Sequence, residues 1–365
     1  MPGIVAYTFL DKDGNVISSK NSEILLTPAS NLKIVSAYIS YKILSRDFLF
    51  KTFFKVKDGI LYVYGDPTPL LDGQKLEEIG EDLVYDSTNI NKIILDTSVL
   101  DSEFYGKGWS MDNNNFPYQT KISPFSVNEG CVPLNKGPFD LHDLNDVHNR
   151  LTIPVKNQSG FFARCLWKSI KGNYKVSYGL DTKNSEIEEQ GGIAFTQSIK
   201  DLIKHIETYS CNFSAEILTK YLSHFVYNKM GNWKDSTSFI LEYLVKMGFD
   251  ESELAIVDGS GLSRLNLLST NFLASFIYKI LQNGDNEFID LLPKPGLGTL
   301  SNRLKELSEF GINAKTGSLS YCSSLTGFSR KHGISFSIIV NNSKDKPEDL
   351  TAEVDGILRK NLTSF

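Results

Sequence analysis

The stretch Thr27-Pro28-Ala29-Ser30-Asn31-Leu32-Lys33 is continued by apolar residues at three- and four-residue spacing, Leu32, Val35, Ile39 and Ile43. That period predicts an amphipathic helix opening near Pro28. Proline is at home in a first helical turn, where its missing N–H leaves no bond unmade. Ser30 and Lys33 then lie on one face of the turn. A hydroxyl at a helix N-terminus beside an amine can act as a nucleophile with an adjacent base. The free backbone N–H groups of the same turn face any oxyanion that forms. Spacing alone does not decide the matter, because a second Ser-x-x-Lys, Ser343 to Lys346, lies in a polar stretch.

Around this helix the chain falls into parts of different texture. Strand-like runs at 4–10 and 15–19 flank Asp11-Lys12-Asp13-Gly14, a hairpin turn. A second hairpin turns at Lys57-Asp58-Gly59 and ends at Gly65-Asp66-Pro67-Thr68-Pro69. A helix near 73–86 and a strand at 93–96 follow, then a loop-rich, strand-like region from 101 to 190. The charged end of that region runs into Gly191-Gly192, which reads as a domain junction. Beyond it, helical spacing covers 195–206, 213–229, 236–248 and 270–283. Strands follow around 312–317, 323–329 and 334–341, with a closing helix at 348–361. The expected architecture is one α/β domain built from both ends, 1–51 and 191–365, with a β-rich domain, 52–190, inserted in it. With 365 residues and 41% hydrophobic content, the chain can build two cores.

Composition removes several classes of function. The net charge of −5, with no long Lys/Arg run, offers no nucleic-acid footprint. Nowhere do eighteen apolar residues run together, so no membrane span is expected. Asp11, Lys12 and Asp13 interrupt the apolar start, which lacks a signal-peptide pattern, so a cytoplasmic protein is expected. Cys131, Cys165, Cys211 and Cys322 show no paired spacing and read as free thiols in a reducing compartment. His142, His148, His205, His224 and His332 show no His-x-x-x-His pattern. Asp140-x-x-Asp143-x-x-Asp146 lacks the glycine and terminal glutamate of a calcium loop. No metal or cofactor is expected.

Three elements occur in order: Ser30-x-x-Lys33, Ser210-Cys211-Asn212 opening a predicted helix, and Lys315-Thr316-Gly317 on a predicted strand. Ser-x-Asn also occurs at Ser19, Ser126 and Ser269, so Ser210 alone reads as a helix cap. The joint order is that of serine β-lactamases and penicillin-binding proteins. Further stretches extend the likeness: Gly65-Asp66-Pro67-Thr68, Gly108-Trp109, Val127-Asn128-Glu129-x-Cys131-Val132 and Tyr209-Ser210-x-Asn212-x-x-Ala215-Glu216. To these add Asp258-Gly259-Ser260-Gly261-Leu262-Ser263-Arg264, Gly298-Thr299-Leu300-x-Asn302-Arg303 and Ala314-Lys315-Thr316-Gly317-Ser318-Leu319. The chain resembles the serine D-Ala-D-Ala carboxypeptidase/endopeptidase family of low-molecular-mass penicillin-binding proteins, class C.

That resemblance implies a β-lactamase/transpeptidase-like fold, α/β with an antiparallel five-stranded sheet flanked by helices. It implies a serine D,D-peptidase that acts through an acyl-enzyme on Ser30. Its substrates would be small peptides ending in D-Ala-D-Ala or a similar D-residue, and it would bind β-lactams. Lys33 would be the base, its pKa lowered by burial and by Lys315. Ser210 would relay a proton to the leaving group, and Asn212 would hold Lys33 and the substrate amide. The strand at Lys315, Thr316 and Gly317 would pair with the substrate backbone, Lys315 and Thr316 taking its carboxylate. The oxyanion hole would be the N–H groups of Ser30 and Ser318. Arg264 and a 112–118 loop, with Asp112 and Tyr118, would border the substrate side chain. Three departures stand out: the interval from Ser30 to Ser210 is short for the family, Cys211 replaces the usual Asp or His, and no leader is seen. Two alternatives follow: a cytoplasmic esterase, amidase or D-amino-acid peptidase, and a non-catalytic binding protein of the same fold.

Overall fold

A computed structural model describes residues 3–86, 90–133, 152–170, 178–179 and 192–364. Outside the described residues lie Gly191, the acidic run Asp140, Asp143 and Asp146, and the histidines His142 and His148.

The first sheet joins the two ends of the chain. Strands β1 (Ile4–Leu10) and β2 (Val16–Lys20) form the expected hairpin, and β1 pairs antiparallel with β12 (Ile334–Asn341). The sheet continues through β11 (Cys322–Ser329) to the end strand β10 (Ile312–Leu319), giving the order β10-β11-β12-β1-β2. Every residue of β12 is buried, as a central strand covered on both faces requires. Alternation along it assigns the faces. Ile339 packs in the core that holds Phe272, Phe276 and Ile280 of helix α7 (Thr270–Gln282). Phe336, Ile338 and Val340 pack with Leu350, Val354 and Leu358 of α9 (Pro347–Leu362).

Helix α1 (Leu32–Leu44) departs from the amphipathic expectation: all its residues except Lys42 and Ile43 are buried. A helix apolar on all sides belongs in the interior. It is wrapped by α4 (Ile199–Tyr209), α5 (Asn212–Tyr227) and α6 (Trp233–Lys246).

The second sheet has the order β8-β5-β4-β3-β9. Strands β3 (Leu49–Lys57) and β9 (Ile193–Ser198), where the chain leaves and returns, lie side by side and antiparallel. With them stand β4 (Ile60–Gly65), β5 (Lys92–Leu95) and the short β8 (Tyr178–Gly179). This unit reaches beyond 52–190 at both ends, and it is not purely β-rich. Helices α2 (Gly73–Asp86) and α3 (Gln158–Ser169) pack together, and Leu76, Ile79, Phe162 and Leu166 share a core with Phe54, Leu61 and Val63 of the sheet. Helix α3 corrects the loop-rich reading of that region: Ser159-Gly160 looks like a breaker, but Asn157 Oδ1 caps the turn by accepting from Gly160 N (3.0 Å). Residues 195–198, expected as helix, are strand because they pair with β3, and Ser198 then caps α4.

Candidate active site

Ser30 sits at a strained junction rather than on a smooth helix start. Residues Ala29–Asn31 form a single 3-10 turn ahead of α1, and Ala29 has φ +49°, a left-handed conformation that is costly for a residue with a Cβ. The loop carrying Gly261 presses on this bend, and a Cβ at Gly261 would lie 1.9 Å from the Ala29 carbonyl. On the other side, Ser324 of β11 donates to the Pro28 carbonyl (2.8 Å). The buried amide of Asn31 reaches Thr326 Oγ1 (2.9 Å) and donates to the Lys315 carbonyl (2.7 Å). The bend is therefore clamped between the β10–β11 hairpin and a loop.

Lys33 is fully buried, and its Nζ lies 2.9 Å from Ser30 Oγ, 2.6 Å from Asn212 Oδ1 and 2.7 Å from the Ser260 carbonyl. Burial pushes its pKa from 10.5 down to about 8, against the pull of Glu207, Glu216 and Asp258. The Ser260 carbonyl is aimed by a network that the sequence reading did not assign. Glu216 on α5 accepts from Gly259 N (3.0 Å), Ser260 N (2.8 Å) and Trp233 Nε1 (2.7 Å). Asp258 accepts from Gly261 N (2.9 Å), Ser263 N (2.7 Å) and Trp109 Nε1 (3.0 Å). Both acids stand in stretches quoted above, yet groups that work by holding backbone N–H leave no spacing signal.

Ser210 does not open a helix. It ends α4 in the left-handed region (φ +58°), and the cap of α5 is Cys211, whose Sγ accepts from Ser214 N (3.3 Å). Ser210 and Cys211 thus form a two-residue link between helices, and Asn212 is the first residue of α5. Asn212 also donates through Nδ2 to the Tyr118 carbonyl (2.8 Å), which ties the 112–118 loop to the site.

Lys315 is fully buried, donating to the Thr316 carbonyl (3.1 Å), and Thr316 Oγ1 donates to Thr299 Oγ1 (2.7 Å). Burial drives the Lys315 pKa down, with Glu207 pulling it up and Lys33 pushing it down further. Gly317 permits close approach, since a Cβ there would stand 2.2 Å from Ser324 Oγ and 3.0 Å from Ser30 N.

A cavity of about 510 Å³ opens over these groups, lined by Ser30, Ser210, Asn212, Ser318, Arg264 and Tyr118 among others. Lys33, Lys315, Thr316 and Gly317 are buried and are not among its lining residues. Arg264 is exposed and donates to the Ser320 carbonyl. Asp112 is exposed and does not line the cavity, while its neighbours Ser110 and Asn113 do.

Known proteins share this arrangement of elements. The chain is 25% identical to penicillin-sensitive carboxypeptidase A of Dictyostelium discoideum, over 98% of this chain and 86% of that protein. It is 24% identical to a D-alanyl-D-alanine carboxypeptidase of Haemophilus influenzae, over 86% of this chain and 79% of that one. Among solved structures, penicillin binding protein 4 from Haemophilus influenzae superposes with a TM-score of 0.81 at 21% identity, covering 99% of this chain and 96% of that chain. The fold is therefore transpeptidase-like. Residues 10–148 and 145–361 match the D-Ala-D-Ala carboxypeptidase 3 (S13) family, so the clamped serine, the buried lysine behind it and the end strand beside them stand in a chain that belongs to that family.

Proposed function

We propose that the chain is a serine D,D-peptidase, hydrolysing small peptides that end in D-Ala-D-Ala or a similar D-residue, and that β-lactams acylate it. The observation that carries this reading is the environment of Lys33. Two of its three neighbours, Asn212 Oδ1 and the Ser260 carbonyl, can only accept hydrogen bonds. A neutral amine that donates to both has its lone pair left for Ser30 Oγ, 2.9 Å away. The depressed pKa of about 8 populates that neutral form near physiological pH.

The steps follow from this placement. Lys33 takes the Ser30 proton as Oγ attacks the scissile carbonyl. The oxyanion forms against the N–H groups of Ser30 and Ser318, each donor contributing about 3 kcal/mol in comparable sites. The proton passes to the leaving amine by way of Ser210, which lines the same cavity. The C–N bond breaks, leaving an ester on Ser30, and water releases the acid by the reverse proton path. Strand β10, at the end of its sheet, offers an edge to the extended peptide, and its Ser318 and Leu319 line the cavity.

Intact-mass measurement after incubation with a fluorescent penicillin tests the reading. One adduct is expected on the wild type and none on Ser30→Ala. An unshifted wild type, or an adduct that survives Ser30→Ala, overturns it. Release of D-Ala from a D-Ala-D-Ala peptide, against none from its D-Ala-L-Ala counterpart, tests the substrate class.

A further inference from the structure

Cys211 takes no step in the chemistry above, yet it lies beside two further metal-ligating groups. Glu129 belongs to a 3-10 turn at Asn128–Gly130, His205 to α4, and Cys211 to the link between α4 and α5. Each presents one ligand atom, and the three atoms lie within 4.8 Å of one another. His205 Nε2 meets Glu129 Oε1 directly. Glu129 and Cys211 are 5% and 4% exposed, and the His205 side chain 11%, so the cluster is interior with one edge near solvent.

We propose that Glu129, His205 and Cys211 bind a divalent cation of the Zn²⁺ class beside the Ser210–Asn212 link. The donor set is one sulfur, one imidazole nitrogen and one carboxylate oxygen, a set that selects zinc over calcium or magnesium. Zinc bonds of about 2.0–2.3 Å span such a cluster with small side-chain movement and leave a fourth position for water. The charges also close: a carboxylate and a thiolate balance a dication, and the imidazole binds neutral. The cation takes the place of the thiol proton, which leaves to solvent. The 128–130 turn, distant in sequence, would then be tied to α4 and to the α4–α5 link beside Ser210. The inference does not depend on the peptidase reading.

Cobalt is the probe, because a thiolate ligand gives Co²⁺ an intense charge-transfer absorption. The reduced full-length protein is titrated with Co²⁺, and the band is expected to saturate at one equivalent and to vanish on adding Zn²⁺. Cys211→Ser should lose the band, and His205→Ala should weaken binding by more than the 10- to 100-fold typical of outer-shell partners. Cys165→Ser, on α3, should keep it. A folded wild type that binds Co²⁺ without a thiolate band, or not at all, overturns the proposal whatever the variants do. So does a band that persists in Cys211→Ser.

Discussion

At the scale of single residues, the function rests on one amine kept out of water. Lys33 must be neutral to accept a proton, and its pKa near 8 lies below the ordinary 10.5 because burial penalises the charged form. Acylation of Ser30 should therefore rise with pH as Lys33 loses its proton, with the limb centred near 8, measured as the rate of penicillin adduct formation. A limb below pH 5 would assign the base to a carboxylate instead. Lys33→Arg keeps the charge but cannot offer a neutral form. It should lose acylation about as fully as Lys33→Ala, on the order of 10²–10⁴-fold. A folded Lys33→Arg acylating near the wild-type rate would move the base role elsewhere.

At the scale of elements, the nucleophile depends on how tightly β10 closes on the bend before α1. A methyl group at Gly317 would meet Ser324 Oγ at 2.2 Å and Ser30 N at 3.0 Å, so strand or bend must shift. Gly317→Ala should cut the acylation rate by at least about tenfold and lower the melting temperature, since overpacking of this kind costs about 1–3 kcal/mol. Gly356, inside α9, is the contrast, for a Cβ there meets nothing within 4 Å. Gly356→Ala should stabilise by about 0.5–1 kcal/mol through helix propensity alone, with penicillin labelling unchanged. Urea unfolding of both variants reads the opposite signs.

At the scale of the whole molecule, the inserted stretch does not merely sit beside the catalytic groups. Trp109 Nε1 reaches Asp258, Tyr118 offers its carbonyl to Asn212, and Tyr221 on α5 donates to Asp66. Lys220, also on α5, holds Asp101 and the Glu103 carbonyl while lying over the Trp233 ring. Trp109→Phe keeps an aromatic side chain but removes the indole N–H and leaves a buried carboxylate short of one donor, at a cost of about 1–3 kcal/mol. The expected result is faster amide exchange over 104–122, slower acylation and unchanged exchange in the core of α1. Equal loosening everywhere would mean that Trp109 serves general stability rather than the placement of this loop.

What the sequence determined by itself is local in origin. Helical and strand periods depend on neighbours a few positions away, so the terminal hairpin, the late helices and the three closing strands were legible. Ser30 and Lys33 share a face because one turn of helix separates them. The ordered motifs also carried the family, since Ser-x-x-Lys, Ser-x-Asn and Lys-Thr-Gly each keep their own short spacing. Helix α3 was within reach of the same reasoning, with its Asn157 cap and Phe161, Phe162, Cys165 and Leu166, but Gly160 masked it. Only tertiary structure could decide the rest. The 195–198 segment is strand because β3 lies beside it, and α1 is buried on nearly all sides because three helices close around it. The Ser260 carbonyl reaches Lys33 because Glu216 holds two backbone N–H groups of a loop 43 and 44 positions away. Burial, which sets the pKa of Lys33 and of Lys315, is a property of everything packed around a side chain, and no spacing along the chain encodes it.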